Sequence, residues 1–425
     1  MRNLNLFLRP LGLVLPLAFL SGNLFAQNSC DGERYRYTSA FDGFTVSYDN
    51  PYGENTNALG LTETLVYDLY LPEGDVAEDR ALVVMAHGGF FLGGANDGED
   101  VVSLCEDLAQ MGYVVASISY RLGIDDFFDV QTSMIEAVWR GVHDSRAAVR
   151  YFRKTVEEDG NPYGIDPDRI LIGGVSAGGF VALHHAYVDE DAEIPSEINP
   201  SDPGLGGGLE GESGNPGYSS DVFGVFNICG ALRDADWIVA GDEPLVSVHG
   251  TEDGTVPYAT GMIELQGFPI IEVDGSQPIH EVAEAVGLEH CFHTLEGLDH
   301  VAHIGNPAAY DATLAAIAGS MSGWLCEGWD MTCETYDYTS GLAEADWITW
   351  SLYPNPLNGS EALRWDAALD VRMLEIQDIR GRSASRENVA GRQEATLNLS
   401  PGVYLVSPLG AAGERLALPA KLWVR

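Results

Sequence analysis

Residues Ile170–Phe180 read ILIGGVSAGGF: an apolar run, then a single hydroxyl at Ser176 with glycine on both sides. An apolar run of this length suits a strand buried on both faces. The glycines need another explanation, because a loop that only turned would not require bulk to be removed around one serine. G-x-S-x-G between a strand and a helix provides it. Glycines at 174 and 178 let the chain turn sharply and hold the Ser176 hydroxyl above the end of a sheet. The helix that follows would place partial positive charge where an oxyanion forms. Alone the pentapeptide is a weak signal, since glycine-rich strand-to-helix turns also bind phosphate.

The surrounding chain supplies the setting. Strand-length runs at Leu65–Pro72, Ala81–His87 and Tyr113–Tyr120, then RILIGG, VFGVFNI, PLVSVHG and CFHTLEG, alternate with helical stretches near Glu99–Met111, Gln131–Glu158 and after Ser176. This alternation predicts an α/β fold, a mostly parallel sheet with helices on both faces. Residues Ile198–Asp221 are rich in Gly, Ser and Pro and have no period. A loop of that length reads as a structured cap over a site more readily than as a slack surface loop.

Three further stretches bear on Ser176. MAHGGFFLGG follows the Ala81 strand, and its turn can aim the backbone N–H groups of Gly89 and Phe90, with Gly88 a third candidate, at the point reached by the N–H of Ala177. Such donors form an oxyanion hole, with His87 as a pin for the loop. PLVSVHGTEDGTVPY puts Asp253 just past a strand, where an acid can orient an imidazole; Glu252 and Asp242 compete for the role. CFHTLEGLDHVAH offers His293 inside a strand, His300 in the loop beyond Gly297, and His303 as runner-up to His300. Ser176, Asp253 and His300 run in the nucleophile–acid–base order of α/β-hydrolases. That chemistry needs no metal or organic cofactor; the acidic GIDDFFD lacks the spacing of an EF-hand Ca²⁺ loop.

Composition bounds the rest. The first 26 residues combine Arg2, Arg9, an apolar stretch from Leu11 to Leu20 interrupted by Pro16, and no acid, which predicts a secretory signal peptide cut near Ala26 and no stable membrane insertion. From 27 to 350 there are 56 Asp and Glu against 11 Lys and Arg, a net of −45, whereas 351–425 carries 8 against 9. So acidic a surface disfavours nucleic acid and anionic membrane as partners, and it predicts adaptation to salt that screens self-repulsion. Six cysteines in an exported chain are disulfide candidates of undetermined pairing; Cys229, in an apolar run, reads as a small buried hydrophobe. The shift in charge and texture at 350/351 divides the chain into a signal peptide (1–26), a hydrolase domain (27–350) and a small all-β domain (351–425).

HGGFFLGG, SISYRLG, DSRAAVRYFRK, YGIDPDRILIGGVSAGG and HGTEDGTVPY together resemble the secreted carboxylesterases that include feruloyl-esterase-like α/β-hydrolases, over roughly Leu65–Leu325. The resemblance implies an eight-stranded sheet and ester hydrolysis through an acyl-enzyme. The chain departs from it at Phe90, where many relatives carry a third glycine. The tail, LYPNPLNG through KLWVR, resembles the type IX secretion sorting domain of Bacteroidota-like bacteria. That implies a β-sandwich that engages the type IX machinery, export through the periplasm, and a secreted or cell-surface destination.

Overall fold

The apolar runs become one eight-stranded sheet in the computed structural model, which describes residue 30, residues 33–326 except 127 and 266, and most of 352–424. Its strands are β1 (Phe44–Thr56), β2 (Thr62–Pro72), β3 (Arg80–Ala86), β4 (Val114–Ile118), β5 (Ile165–Val175), β6 (Gly224–Ile228), β7 (Leu245–Gly250) and, beyond a hairpin of β8 (Thr260–Leu265) and β9 (Phe268–Asp274), β10 (His290–Leu295). Their order in the sheet is β1-β2-β4-β3-β5-β6-β7-β10. The first two strands are antiparallel and the other six are parallel, which is the α/β-hydrolase arrangement. The chain divides into two compact units, Met1–Gly341 and Leu342–Arg425. The expected signal peptide, the 350/351 junction and Cys333 lie outside the described residues.

Period-two alternation splits the core between two faces. Leu82, Val84 and Ala86 of β3 pack with helices α2 (Val130–Glu158), α3 (Ala177–Tyr187) and α4 (Ser276–Val286). Ala81, Val83 and Met85 pack with α1 (Val102–Gln110) and α5 (Pro307–Leu325). The acids of GIDDFFD serve local structure: Asp129 caps α2 by accepting the Thr132 N–H, and Asp126 accepts the Phe128 N–H. Cys30 is disulfide-bonded to Cys326 at the end of α5, and Cys291 is disulfide-bonded too. Cys105 and Cys229 are free, buried thiols.

The 198–221 segment is not a cap. Basic side chains at intervals of three and four residues share one face of α2, and they bind its carbonyl oxygens one after another. Arg140 donates to Pro203, His143 to Gly208, Arg146 to Leu209, Arg150 to Glu210 and Gly214, and Arg153 to Ser219. The segment lies along α2, and none of its residues lines the cleft beside Ser176. Arg121 joins the same system by donating to Gly204 and Thr56 carbonyls.

Arg121 and Asp144 form a fully buried ion pair, 2.8 Å apart. The Asp144 carboxylate also accepts the Arg121 backbone N–H and the Ser213 hydroxyl, so little of its hydrogen-bonding capacity is left unmet. Such a pair costs little while complete and a great deal once broken, because one charge is then stranded in the core.

In the second unit, β11 (Leu352–Tyr353), β12 (Ala362–Trp365) and β15 (Glu394–Thr396) form one antiparallel sheet. β13 (Met373–Asp378), β14 (Ser383–Asn388), β16 (Gly402–Leu409) and β17 (Ala420–Val424) form another, ordered β14-β13-β16-β17. Leu363 and Trp365 from the first share a core with Ile376, Val406 and Leu422 from the second, a small all-β sandwich.

Replacing Asp144 by Ala is expected to destabilise the first unit by about 3–5 kcal/mol, through the stranded Arg121 charge. Urea unfolding of variant and parent at one salt concentration measures this; a loss below about 1 kcal/mol, as for an exposed ion pair, would contradict it.

Candidate active site

Ser176 stands between β5 and α3 with φ 54° and ψ −115°, a strained conformation for a non-glycine residue. Two close approaches hold it there. A Cβ at Gly178 would lie 2.0 Å from the Ala86 carbonyl oxygen, and one at Gly174 would lie 2.4 Å from the Gly178 carbonyl carbon. Any side chain at either position would force the turn open. The Ser176 N–H donates to Ile228 of β6 at 2.8 Å, tying the turn to the neighbouring strand.

His300, from the loop after β10, bridges the expected partners. Ser176 Oγ lies 2.8 Å from its Nε2, and its Nδ1 lies 2.6 Å from Asp253 Oδ2. Asp253 is fully buried in its side chain; Oδ1 accepts the N–H groups of Thr255 and Val256, and His249 Nε2 lies 3.2 Å from Oδ2. Burial opposes its ionisation, but the hydrogen bonds from His249 and His300 outweigh it and keep the carboxyl below the usual carboxylate range. For His300 the balance runs the other way in charge. Burial disfavours the imidazolium, yet the Cys229 sulfur and the Asp253 carboxylate together raise its pKa above the ordinary histidine value. Cys229, read from sequence as filler, thus sits against the base, with its sulfur and the ligand atoms of Asp253 and His300 all within 4.8 Å of one another.

The other candidates are elsewhere. His293 is half-buried in β10 with its pKa lowered by burial. His303 Nε2 donates to the Asp100 carbonyl. Asp242 accepts the Val239 N–H, away from the histidine.

The turn after β3 faces the same point. Within it the His87 ring stacks on Tyr120 at 4.5 Å, its carbonyl accepts the Tyr120 hydroxyl, and its Nδ1 meets the Gly88 carbonyl. Gly88 is no oxyanion donor, because its N–H is spent on Asp100 Oδ2 at 2.6 Å. Among the described residues no acceptor meets the N–H of Gly89, Phe90 or Ala177. Gly89 and Phe90 adopt φ 122° and 58°, so phenylalanine at 90 carries a backbone strain that a third glycine would avoid, about 1–3 kcal/mol.

An apolar cleft opens at Ser176, lined among others by Phe90, Trp139 and Phe180 and, in and just before the hairpin, by Val256, Ile263 and Val273. Among the described residues Arg233 is the one lysine or arginine lining it, and its guanidinium is paired with Glu197 at 2.9 Å. Burial holds His184, also on the wall, down to about 4, so it is neutral. Trp237 is not part of the lining; it packs edge-on to His184.

Sequence reasoning did not single out Asp100, Tyr120, His249 or Asp299, whose Oδ1 accepts the N–H groups of Gly254 and His300. Nearness to a motif was the one available signal: HGTEDG contains His249, SISYRLG contains Tyr120, and Asp299 precedes His300.

The chain is similar to several known esterases and lipases. The family model described as BD-FAE matches residues 67–204. Arylacetamide deacetylase-like 2 of Homo sapiens is 29% identical over 225 residues, 51% of this chain and 49% of its own. Bile salt-activated lipase of Bos taurus is 29% identical over 142 residues, 32% of this chain and 22% of its own. Gut esterase 1 of Caenorhabditis elegans is 32% identical over 102 residues, 24% of this chain and 17% of its own. The chain thus spans half or less of the length of these relatives. Among solved structures, Thermogutta terrifontis esterase 2 is 22% identical with a TM-score of 0.45, covering 66% of this chain and 95% of its own. A truncated carbohydrate esterase from gut microbiota is 18% identical with a TM-score of 0.48, covering 67% and 97%.

Proposed function

We propose that this chain is a serine carboxylic-ester hydrolase acting through an acyl-enzyme. The observation that carries the reading is His300, hydrogen-bonded at once to Ser176 Oγ and to buried Asp253, while the N–H groups of Gly89, Phe90 and Ala177 meet no acceptor among the described residues. As Ser176 Oγ bonds to the acyl carbon, its proton passes to His300 Nε2 and the carbonyl electrons move onto oxygen. The three N–H groups hold that oxyanion. Asp253 keeps Nδ1–H in place and stabilises the imidazolium. Collapse of the intermediate expels the alcohol, which takes the proton back from His300; water then repeats the sequence and frees the acid. The apolar cleft, with its one guanidinium neutralised, favours an uncharged acyl group: a short chain, a hydroxycinnamoyl group or a polyester segment.

We also infer export. An N-terminal leader and a sharp change of charge near residue 350 support a signal peptide ending at Ala26 and a type IX sorting domain over 351–425. In a host with that machinery, the secreted protein is expected to begin near Gln27 and to lack the tail; an intact mass matching the uncut chain would overturn this.

On 4-nitrophenyl esters of increasing acyl length and a methyl hydroxycinnamate, the parent is expected to turn over and Ser176→Ala to lose at least 10³-fold in kcat/KM. Activity on peptides alone would replace the reading with a peptidase, and no activity on either with a binding scaffold. Asp253→Asn is expected to cost about 10⁴-fold.

The pH dependence follows from the sign of the His300 shift. The base must be neutral, so kcat/KM falls as pH drops through its pKa, which is raised. The acid limb should therefore lie above pH ~6.5, the ordinary histidine value. A limb at or below that value would contradict the proposed role of the Asp253 and Cys229 environment.

A further inference from the structure

We infer that Asp100 and His303 are positioning residues that clamp the loop carrying the oxyanion donors to the loop carrying the base. The inference rests on the serine-hydrolase reading, but on different contacts. The two loops come from separate parts of the chain, after β3 and after β10, and Asp100 touches both. Its carboxylate oxygen Oδ2 accepts the Gly88 N–H at 2.6 Å, and its main-chain oxygen accepts a hydrogen bond from His303 Nε2 at 2.9 Å.

Both loops need holding. Gly89, Phe90 and Phe91 are three consecutive residues with positive φ, two of them phenylalanines. On the other side Val301, the residue after the base, has φ 51° although it is β-branched, a conformation such side chains avoid. Strain of this kind persists only where surrounding contacts over-determine it. His303 is one such contact: it is buried, only 4% exposed, and three residues from His300. Its Nδ1 is buried with no hydrogen-bond partner among the described residues, and burial lowers its pKa. A neutral ring must carry its single proton on Nε2 to donate to the Asp100 carbonyl. His303 is therefore a fixed donor that holds position and takes no part in proton transfer.

With Gly88 anchored, the next two N–H groups, at Gly89 and Phe90, are the ones left to face the reacting oxygen. Release of the Gly88 bond would turn them away, and release of the His303 bond would let the His300 loop relax at Val301. Misplacement of reacting groups by about 1 Å costs up to 10²-fold.

The test is a set of variants assayed for kcat and KM on a 4-nitrophenyl ester, for the rate of covalent labelling of Ser176 by an alkyl fluorophosphonate, and for Tm. Asp100→Ala and His303→Ala are each expected to lose about 10- to 100-fold in kcat and in labelling rate, with KM within about twofold and Tm little changed. Asp100→Asn keeps an oxygen acceptor for Gly88, and His303→Gln places an amide N–H near the Nε2 position, so each should recover most of the loss. The double Ala variant should lose less than the product of the singles, because both act through one clamp. Conservative variants as poor as Ala, losses that multiply, or losses that follow Tm would overturn the inference. Should the parent hydrolyse no ester and still label at Ser176, the ester reading fails while the labelling ratios decide the clamp. A parent that neither hydrolyses nor labels overturns both.

Discussion

The site depends first on the approach of the turn after β5 to the end of β3. With a Cβ at position 178 only 2.0 Å from the Ala86 carbonyl oxygen, glycine is the residue that lets α3 start where it does. The rest of the site follows from that contact. It puts Ser176 beside His87 and the residues after it, so one short strand pair delivers both the nucleophile and the oxyanion donors. It also directs the orphan N–H of the first turn of α3 toward the same point, where the dipole of the helix adds to it. His300 and Asp253 then need only to arrive from neighbouring strands, β10 and β7, which are paired in register from His290–Leu245 to Leu295–Gly250.

Charge is distributed by a related economy. The hydrolase region has 11 basic residues against 56 acidic ones, and five of the 11 (Arg121, Arg140, Arg146, Arg150 and Arg153) donate to carbonyl oxygens of the 203–219 segment. A glycine-rich segment has few side chains with which to bury itself, and its carbonyls would otherwise depend on water. Arginine suits the task because its planar fork reaches two acceptors at once and stays charged when buried. Arg140 and Arg150 also pair with Glu136 and Glu210, but five guanidiniums held in this way are few against 56 acids. The surface charge is left for the solvent to screen.

The parts legible in the sequence were those with side-chain identity. Ser176, Asp253, His300, His87 and the glycines at 174 and 178 stand in patterns that specific chemistry requires, and the parallel strands read plainly because both faces are buried. What was missed was backbone recognition. The arginine stripe of α2 binds carbonyl oxygens, and any residue in the loop has one, so the 198–221 segment gave no sign of lying along the helix. The Asp100 contacts are hidden for the same reason. β1 was missed because its register is broken between Ser47 and Asn50 and between Pro51 and Gly53, so Asn-Pro-Tyr-Gly reads as a turn. Cys229 is the small buried residue its apolar neighbourhood implies; what that neighbourhood does not show is that the sulfur ends, in space, against the imidazole.

A net charge of −45 over residues 27–350 opposes a reaction that creates an oxyanion, yet the proton inventory removes most of the conflict. In the proposed mechanism, formation of the tetrahedral intermediate turns Ser176 and neutral His300 into an oxyanion and an imidazolium, so the total charge does not change. A potential that is uniform across the site therefore cancels to first order, and only its local gradient matters. That gradient comes from fixed groups within a few ångströms: the N–H dipoles on one side and Asp253 on the other, acting where water is excluded. The global charge acts elsewhere. It favours the imidazolium of the free protein, and it opposes approach by anionic esters. Neutralisation of Arg233 by Glu197 removes the one wall cation that could counter that repulsion. Long-range and local electrostatics thus both favour the substrate class proposed above, an ester with no charge on its acyl part.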